Sequence, residues 1–291
     1  SLDQNFVKTE SILTSGITTE ASLKDLPVSQ KSTSYSYQDE LGRSLQDVVV
    51  QSSPSGKDVI QPYAYNADGR MEFDYLPYSY AASKTGQYRP SGITGQGTFY
   101  NSTSKVPTDP KPWGQYIYER SPLNRVKESY GPGTAWYTNL KKGAQTYSPA
   151  GTAIPYWQIN GSNLPSYVAN YPQDILFQTT TTDENNNLSY EYSDFRGLMV
   201  RKVTNGLVTV YVYDQIGNLR FIIPPKLAAV NNVTQTLADN WCFQYLYDNR
   251  QRLVKQKSPG MDWVYNIYDD WDRLVATQDG NQRIKSTPEW T

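Results

Sequence analysis

Few side chains in this sequence can perform acid–base or nucleophilic chemistry, because its 291 residues include no histidine and one cysteine, Cys242. Without histidine the chain lacks the commonest general base, the commonest zinc ligand, and the Ser-His-Asp and Cys-His nucleophile systems. One cysteine excludes an internal disulfide and a cysteine-rich zinc site. Because Cys242 lies among aromatic residues in "WCFQY", we predict a strand cysteine packed as a small hydrophobic side chain.

Paired carboxylates are the remaining route to hydrolysis, since glycoside cleavage needs two acids and no histidine. Four acids fall in or near one irregular part of the sequence, namely Asp109, Glu119, Glu128 and Asp174. The sequence places no two of them at the separation of about 5 or 9 Å that this reaction requires. We therefore expect no enzymatic activity, no catalytic residue and no cofactor, and a carboxylate pair stays as the enzymatic alternative.

One segment imitates a calcium-binding loop, with oxygen ligands at Asp183, Asn185, Asn187 and Asp194. Its sixth position is Leu188, where the sharp turn needs glycine, and its twelfth is aspartate instead of a bidentate glutamate. The segment therefore favours a plain hairpin turn, and we predict no metal site.

Aromatic side chains are abundant, with 25 Tyr, 7 Phe and 7 Trp. Several lie among Asn, Gln and Ser, where exposed rings beside amides could stack on sugar rings or contact a protein partner. The alternative is that these rings anchor long loops onto a sheet. The candidate contact residues are Tyr100, Trp113, Trp136, Tyr137, Tyr156 and Trp157.

The charge pattern argues against a nucleic-acid partner, because the chain has 27 Lys and Arg, 28 Asp and Glu, and no basic run. No stretch reaches the roughly 18 to 20 apolar residues that span a bilayer, and "SLDQNFVKTE" lacks the features of a signal peptide. We expect a protein partner or a glycan, no nucleic acid and no direct membrane insertion. Because the sequence starts at Ser1 without Met, we expect a mature product or a piece of a longer chain.

A repeated unit organises the strands that must position these side chains. It has alternating aromatic or aliphatic residues, a polar stretch with Asp or Asn and often Gly, and renewed alternation. This pattern is typical of a β-hairpin in which Asp or Asn caps the turn and Gly adopts positive φ. The anchor tyrosines of the units are Tyr37, Tyr65, Tyr192, Tyr213, Tyr247 and Tyr268. Further structural positions in the predicted turns are Gly69, Gly197, Asp214, Gly217, Asp248 and Asp269.

Repeated hairpins predict an all-β fold, because one hairpin is marginally stable and successive units must pair edge to edge. We expect antiparallel hairpin repeats in a long sheet that coils, since wide sheets twist. A short helix is predicted within "LAAVNNVTQTLA". The predicted parts are a lead segment at 1–34, first hairpin repeats at 35–78, an irregular Gly-, Pro- and Tyr-rich region with a degenerate hairpin at 79–171, and further repeats at 172–291.

These units resemble the YD-repeat, or Rhs, family, whose pattern is Tyr-Asp-x-x-Gly-Arg-Leu. The segments "YDQIGNL", "YDNRQRL" and "YDDWDRL" fit it, although only the first has the glycine. The ordered set "YQDELGRSLQ", "SSPSGKDVIQPYAYNADGR", "SPLNRV", "GPGTAW", "TTDENNNLSYEYSDFRG" and "YVYDQIGNLRFIIPP" also resembles the region ahead of the repeats in large secreted bacterial Rhs-like proteins. This second resemblance covers roughly residues 5 to 225.

The resemblance implies a coiled sheet of hairpins, which in complete family members becomes a hollow shell around a C-terminal toxin or effector. The family's self-cleaving C-terminal core has no counterpart in this sequence, so no catalytic residue is carried over. The implied function is a secreted or cell-surface, non-enzymatic scaffold for toxin delivery, which encloses, escorts or displays a polypeptide. The alternative function is a cell-surface glycan-binding module or adhesin.

Overall fold

The computed structural model describes residues 4–80, 85–102 and 106–291. The chain divides into two compact units, Ser1–Ala144 and Gln145–Thr291. In both units the described residues form mainly antiparallel strands with short helices, so the predicted all-β fold of antiparallel hairpins is confirmed. No helix in these described ranges has the length and apolar character needed to cross a bilayer.

The first unit holds two sets of paired strands. One sheet has the order β1-β2-β3-β4-β6, and β5, β7, β8 and β9 pair in that order. The strands are β1 (Asn5–Ile12), β2 (Lys31–Gln38), β3 (Ser44–Val49), β4 (Asp58–Pro62), β5 (Phe73–Tyr75), β6 (Tyr78–Tyr80), β7 (Trp113–Tyr118), β8 (Val126–Tyr130) and β9 (Lys142–Pro149), whose first residues belong to this unit. The helices are α1 (Glu20–Lys24), α2 (Gly92–Ser102) and α3 (Thr134–Thr138).

The core of the first unit follows the two-residue period of its strands. Tyr37, Val48, Ile60 and Tyr78 come from four different strands and are each at most 3% exposed. They share one face of the sheet because alternate residues of a strand point to the same side. The anchor tyrosine Tyr37 also donates its hydroxyl to the carbonyl of Gly86 at 2.5 Å.

Helix α2 was not predicted, because its sequence "GITGQGTFYNS" contains three glycines, which are unfavourable in helix interiors. Tertiary contacts override this propensity. The fully buried Gln96 donates its side-chain amide to the carbonyl oxygens of Leu76, at 3.2 Å, and Pro112. A Cβ atom at Gly95 would lie 2.7 Å from the Tyr78 hydroxyl oxygen, so glycine permits the close approach of helix and sheet.

The hairpin predicted at Tyr65 is wrong, although its turn forms. The strands on either side do not pair with each other, since β4 pairs with β3 and β6 while β5 pairs with β7. The degenerate hairpin predicted between Tyr116 and Tyr130 is present as β7 and β8. At the Tyr65 turn the chain therefore leaves the sheet that contains β4 and β6 and forms β5, which pairs with β7.

The second unit is a consecutive meander with a separate hairpin and three short helical segments. Strands β12 to β20 pair in sequence order, and within the described part of the chain β10 pairs only with β11. The strands are β10 (Pro155–Ile159), β11 (Pro165–Asn170), β12 (Phe177–Thr182), β13 (Leu188–Ser193), β14 (Met199–Thr204), β15 (Leu207–Tyr213), β16 (Leu219–Ile223), β17 (Phe243–Tyr247), β18 (Leu253–Lys257), β19 (Val264–Tyr268) and β20 (Leu274–Gln278). A 3-10 turn at Pro225–Leu227, α4 (Gln235–Trp241) and α5 (Gly280–Arg283) complete it.

The main core of the second unit lies where β10 and α4 cover strands β15 and β16. Val212, Phe221 and Ile223 are at most 3% exposed and pack with Trp157 of β10 and Ala238 of α4. Helix α4 overlaps the end of the segment predicted to be helical, and Thr234 caps it by accepting the N–H of Leu237.

Cys242 is buried as predicted, but its predicted place in a strand is wrong. It is the C-terminal cap of α4, and its N–H bonds to the carbonyl of Ala238. The thiol side chain belongs to the core of the second unit and is 0% exposed. Burial raises the pKa of this thiol to about 12, so the residue acts as a packed apolar group.

Candidate protein-interaction surface

One side-chain oxygen closes each Tyr-Asp turn. In the turn after β17, Oδ1 of Asp248 accepts the backbone N–H groups of Arg250 at 2.9 Å and Arg252 at 3.0 Å. Its Oδ2 accepts Nε of Arg252 at 2.7 Å. The same pair of backbone bonds, to the residues two and four positions later, occurs at Asp39, Asn66, Asp194, Asp214 and Asp269.

The fourth residue of each turn has a positive φ angle. It is glycine at Gly42, Gly69, Gly197 and Gly217, with φ of 76°, 74°, 79° and 96°. In the last two turns it is Gln251, with φ of 61°, and Asp272, with φ of 62°. The glycine of the repeat pattern therefore relieves a backbone constraint, which the two units without it retain.

Three of the six anchor tyrosines bond to the strand that follows the preceding Asp- or Asn-capped turn. The hydroxyl of Tyr213 donates to the carbonyl of Met199 at 2.9 Å, and that of Tyr268 donates to Leu253 at 3.0 Å. In both pairs the acceptor is the residue directly after an Asp-capped turn, the Asp194 turn for Met199 and the Asp248 turn for Leu253. Two further pairs have the same arrangement within the first unit, Tyr65 with Ser44 at 3.0 Å and Tyr118 with Met71 at 2.9 Å.

The arginine that ends a turn reinforces this link. The guanidinium of Arg252 lies 5.2 Å from the ring centroid of Tyr268, and its Nη1 donates to the carbonyl of Asp269 at 3.1 Å. Arg43 lies in the same way 4.5 Å from the ring of Tyr65. The Tyr and Arg of the repeat thus hold adjacent units together while the Asp closes its own turn, and this role of Tyr and Arg was not predicted from the sequence.

The turn tips of the second unit leave large side chains exposed along one end of the meander. The turns after β13, β15, β17 and β19 share that end because consecutive antiparallel strands alternate in direction. Neighbouring turns of this series are two strands, about 10 Å, apart. At their tips Phe195 is 80% exposed, Ile216 66% and Trp271 78%. Arg196 and Arg273 lie 5.9 and 5.1 Å from the Phe195 and Trp271 rings.

We call the side chains of Phe195, Arg196, Ile216, Trp271 and Arg273 the Tyr-Asp rim. Aromatic and arginine side chains are enriched in protein interfaces and among the residues that dominate their affinity. At the opposite end of the meander the aromatic rings are less exposed, 38% at Trp241 and 40% at Phe243, beside exposed apolar side chains at Leu188, Leu207 and Met261. The Tyr-Asp rim therefore has the stronger interface composition.

Strand β1 of the first unit offers a second kind of contact. Among the described residues it pairs only with β2. Phe6, Val7 and Ile12 on this eight-residue strand are about half exposed, between 45 and 52%. A long edge strand with unpaired backbone groups can accept another strand by backbone hydrogen bonding.

The predicted aromatic contact residues do not form one platform. In the first unit Tyr100 donates its hydroxyl to the carbonyl of Pro77 at 2.8 Å, and Trp113 packs 6.0 Å from Phe73. Tyr137 stacks on Tyr130 with centroids 4.9 Å apart. Trp136 in α3 is 37% exposed. These contacts are those expected of rings that anchor loops.

Tyr156 and Trp157 lie in the second unit on strand β10. Trp157 is 6% exposed within the core, whereas Tyr156 pairs with Tyr171 at a centroid distance of 4.8 Å. Both line a cavity together with Tyr211 and Tyr213. The sequence did not indicate this cavity, because Tyr211 and Tyr213 belong to a repeat unit distant in sequence.

Three of the acids weighed for hydrolysis have pKa values shifted away from that of a general acid. The ion pair with Arg125 lowers the pKa of Glu119, and the one with Lys142 lowers that of Glu128. Burial raises the pKa of Asp109, but N–H groups of Lys111 and Thr134 outweigh it and the net pKa is lowered. A glycosidase general acid needs a raised pKa.

The remaining predicted positions lie in turns and strands. Asp183 accepts the N–H groups of Asn185 and Asn187, both at 2.8 Å, which is a hairpin turn. Asp174 is exposed with a φ of 62°. Tyr192 is 7% exposed in a small core, and burial raises the pKa of Tyr247.

Comparison with known proteins found a family model and solved structures that are similar to this chain. Residues 10–149 match the family model described as "Domain of unknown function (DUF6443)". No curated protein matches the chain. The crystal structure of TcdB2-TccC3-TEV is similar with a TM-score of 0.50 and 15% identity, over 86% of this chain and 11% of that one. The crystal structure of TcdB2-TccC3-Cdc42 (16% identity) and a structure of the Photorhabdus luminescens Tc holotoxin pore (15%) each give 0.49 with the same coverages.

The likeness at 0.50 shows a shared fold over most of this chain, at an identity too low to show more. What the two share is the fold, an antiparallel β-hairpin scaffold. The chain spans about a tenth, 11%, of the length of these solved chains.

Proposed function

We propose that this chain is a non-enzymatic β-hairpin module of an Rhs-type scaffold, secreted or held at a bacterial cell surface, that contacts another polypeptide in toxin delivery. The shared fold with structures of Tc toxin complexes supports this proposal. The observation that carries it is the structural use of the repeat residues, since the turn Asp closes its own turn while the anchor Tyr and the turn Arg bind neighbouring hairpins. Repetition of the hairpin unit therefore extends the surface of the sheet.

The contacting surface in this proposal is the Tyr-Asp rim, with the edge of β1 as a second attachment point. The rim combines aromatic rings that are 78 to 80% exposed with arginines, which suits a protein partner. The partner is either the remainder of a longer polypeptide or a separate chain, and the rim chemistry is the same in both cases.

Co-purification from the cells that make the chain tests this function. The variant Phe195→Ser/Ile216→Ser/Trp271→Ser is expected to lose the polypeptide that accompanies the wild-type chain. A matched variant, Leu188→Ser/Leu207→Ser/Met261→Ser, removes exposed apolar side chains from the opposite end and is expected to keep it. Equal retention by both variants, each folded by circular dichroism, would contradict a role for the rim.

A further inference from the structure

A cavity of about 520 Å³ lies within the second unit, between hairpin β10–β11 and strands β14 to β16. Its volume is in the range of ligand sites, about 300 to 1,000 Å³. Tyr156, Trp157, Tyr171, Tyr211 and Tyr213 all contribute to its lining. The lining therefore has the tyrosine and tryptophan content that dominates the affinity of protein interfaces.

Several hydrogen-bonding groups in this lining are unused. The hydroxyls of Tyr171 and Tyr211 and the side-chain amide of Gln215 have no hydrogen-bond partner within the described chain. Arg220 donates Nε to the carbonyl of Tyr245 at 2.9 Å, and its terminal nitrogens have no partner there. The cavity thus presents unused donors and acceptors, and the guanidinium of Arg220 can only donate.

One cation of the lining, Arg220, also lacks an ion-pair partner among the described residues. Arg196 is paired with Asp194 at 2.9 Å, whereas Arg220 has no carboxylate within 4.0 Å among the described residues. Asp214 also lines the cavity, but it accepts the N–H groups of Ile216 and Asn218 and the amide of Asn218. A ligand that satisfies Arg220 must supply the negative charge, ideally as a bidentate carboxylate.

We propose that the cavity at Arg220 binds an acidic peptide segment, with a Glu or Asp carboxylate on Arg220 and an adjacent apolar residue on the tyrosine rings. An acidic sugar shares the carboxylate, so a sugar acid is the competing ligand in the test. A peptide carries that carboxylate beside an apolar side chain, and its backbone N–H and C=O groups match the hydroxyls and amides of the lining, which both donate and accept. This inference rests on the proposed function and assigns part of the contact to one site.

Peptide titration of the full chain tests the site. The probe is the acetylated, amidated, dye-labelled pentapeptide Leu-Glu-Phe-Glu-Leu, its neutral counterpart has Gln in place of Glu, and binding is followed by fluorescence anisotropy. The acidic peptide is expected to bind at least about 10-fold more tightly than the neutral one. Arg220→Gln should abolish that preference. Lys255→Gln, which removes the same charge from β18 outside the cavity, should keep it.

Two further measurements keep the proposal falsifiable if Arg220→Gln fails to fold. Tyr211→Phe removes one free hydroxyl and should weaken the acidic peptide about 3-fold. Raising salt from 50 to 500 mM should weaken the acidic peptide and leave the neutral one unchanged, because screening acts on the charge pair. Equal affinities for both peptides, no binding at 1 mM peptide, or displacement by sodium glucuronate at equal concentration would overturn the proposal. Because the peptides are synthetic, these outcomes are independent of the co-purification test of the rim.

Discussion

The hydroxyl of Tyr213 donates a hydrogen bond of 2.9 Å to the carbonyl oxygen of Met199, beyond the last paired residues of strands β14 and β15. At this end the two strands leave their backbone ladder, and the tyrosine supplies the missing donor. The same bond recurs between Tyr268 and Leu253. The tyrosine of the repeat therefore binds consecutive hairpins together, in addition to filling the sheet.

Removal of this hydroxyl is expected to weaken the fold. Tyr213→Phe keeps the ring and leaves the Met199 carbonyl without its partner, so the free energy of unfolding should fall by about 1 kcal/mol. Urea unfolding followed by circular dichroism measures it. Tyr245→Phe is the matched control, because its hydroxyl has no hydrogen-bond partner within the described chain; an equal loss in both variants would contradict the assigned bond.

The turns that lack glycine at the fourth position should become more stable when glycine is introduced there. Gln251 has a φ of 61°, so Gln251→Gly relieves backbone strain and should raise the free energy of unfolding by about 0.5 kcal/mol. In the opposite direction, Gly42→Ala should lower it by about 1 kcal/mol. An added Cβ at Gly42 has no neighbour within 4 Å, and φ is +76°, so this change isolates the backbone effect. A stabilising Gly42→Ala would contradict the constraint.

The turn carboxylates should make stability depend on acid pH. Hydrogen bonds from the backbone N–H of Arg43, Arg252 and Arg273, opposed by desolvation, lower the pKa values of Asp39, Asp248 and Asp269. Because these carboxyls titrate lower when folded than the unfolded value of about 3.9, their stabilisation is present above that pH. It is lost as the pH falls through the lowered values.

Urea midpoints between pH 2 and 6 measure this dependence. The wild-type midpoint should fall with decreasing pH, and Asp39→Asn/Asp248→Asn/Asp269→Asn should show a shallower fall while keeping the turn geometry, as Asn66 does in its own turn. Identical slopes in both proteins would show that the turn carboxylates do not contribute.

Cys242 should be unreactive in the folded chain. Its side chain is 0% exposed, and burial raises the pKa of the thiol to about 12, so thiolate is scarce at neutral pH. Labelling with iodoacetamide at pH 8 should proceed only as the protein unfolds, with a urea midpoint equal to that from circular dichroism. Complete labelling without urea would contradict the burial.

The local pattern predicted the hairpins and turns, because alternation and Asx capping depend on residues near in sequence. The Asp248 turn and the buried Tyr37 follow from such patterns. Contacts between distant residues could not be predicted. Helix α2 forms despite its glycines because Gln96 bonds to Leu76 and Pro112, and the cavity joins Tyr156 to Tyr211 across two hairpins.

Photo-crosslinking at the Tyr-Asp rim tests directly whether this rim contacts another polypeptide. p-Benzoylphenylalanine at Ile216 samples the rim, and the same group at Glu184, in the exposed turn after β12, samples the opposite end of the meander. On irradiation in the producing cells, we expect the group at position 216 to form an adduct with one defined polypeptide segment, identified by mass spectrometry. The group at position 184 should give little adduct. Equal, nonspecific labelling from both positions, or none from Ile216 in folded protein, would contradict the claim that this rim contacts a polypeptide.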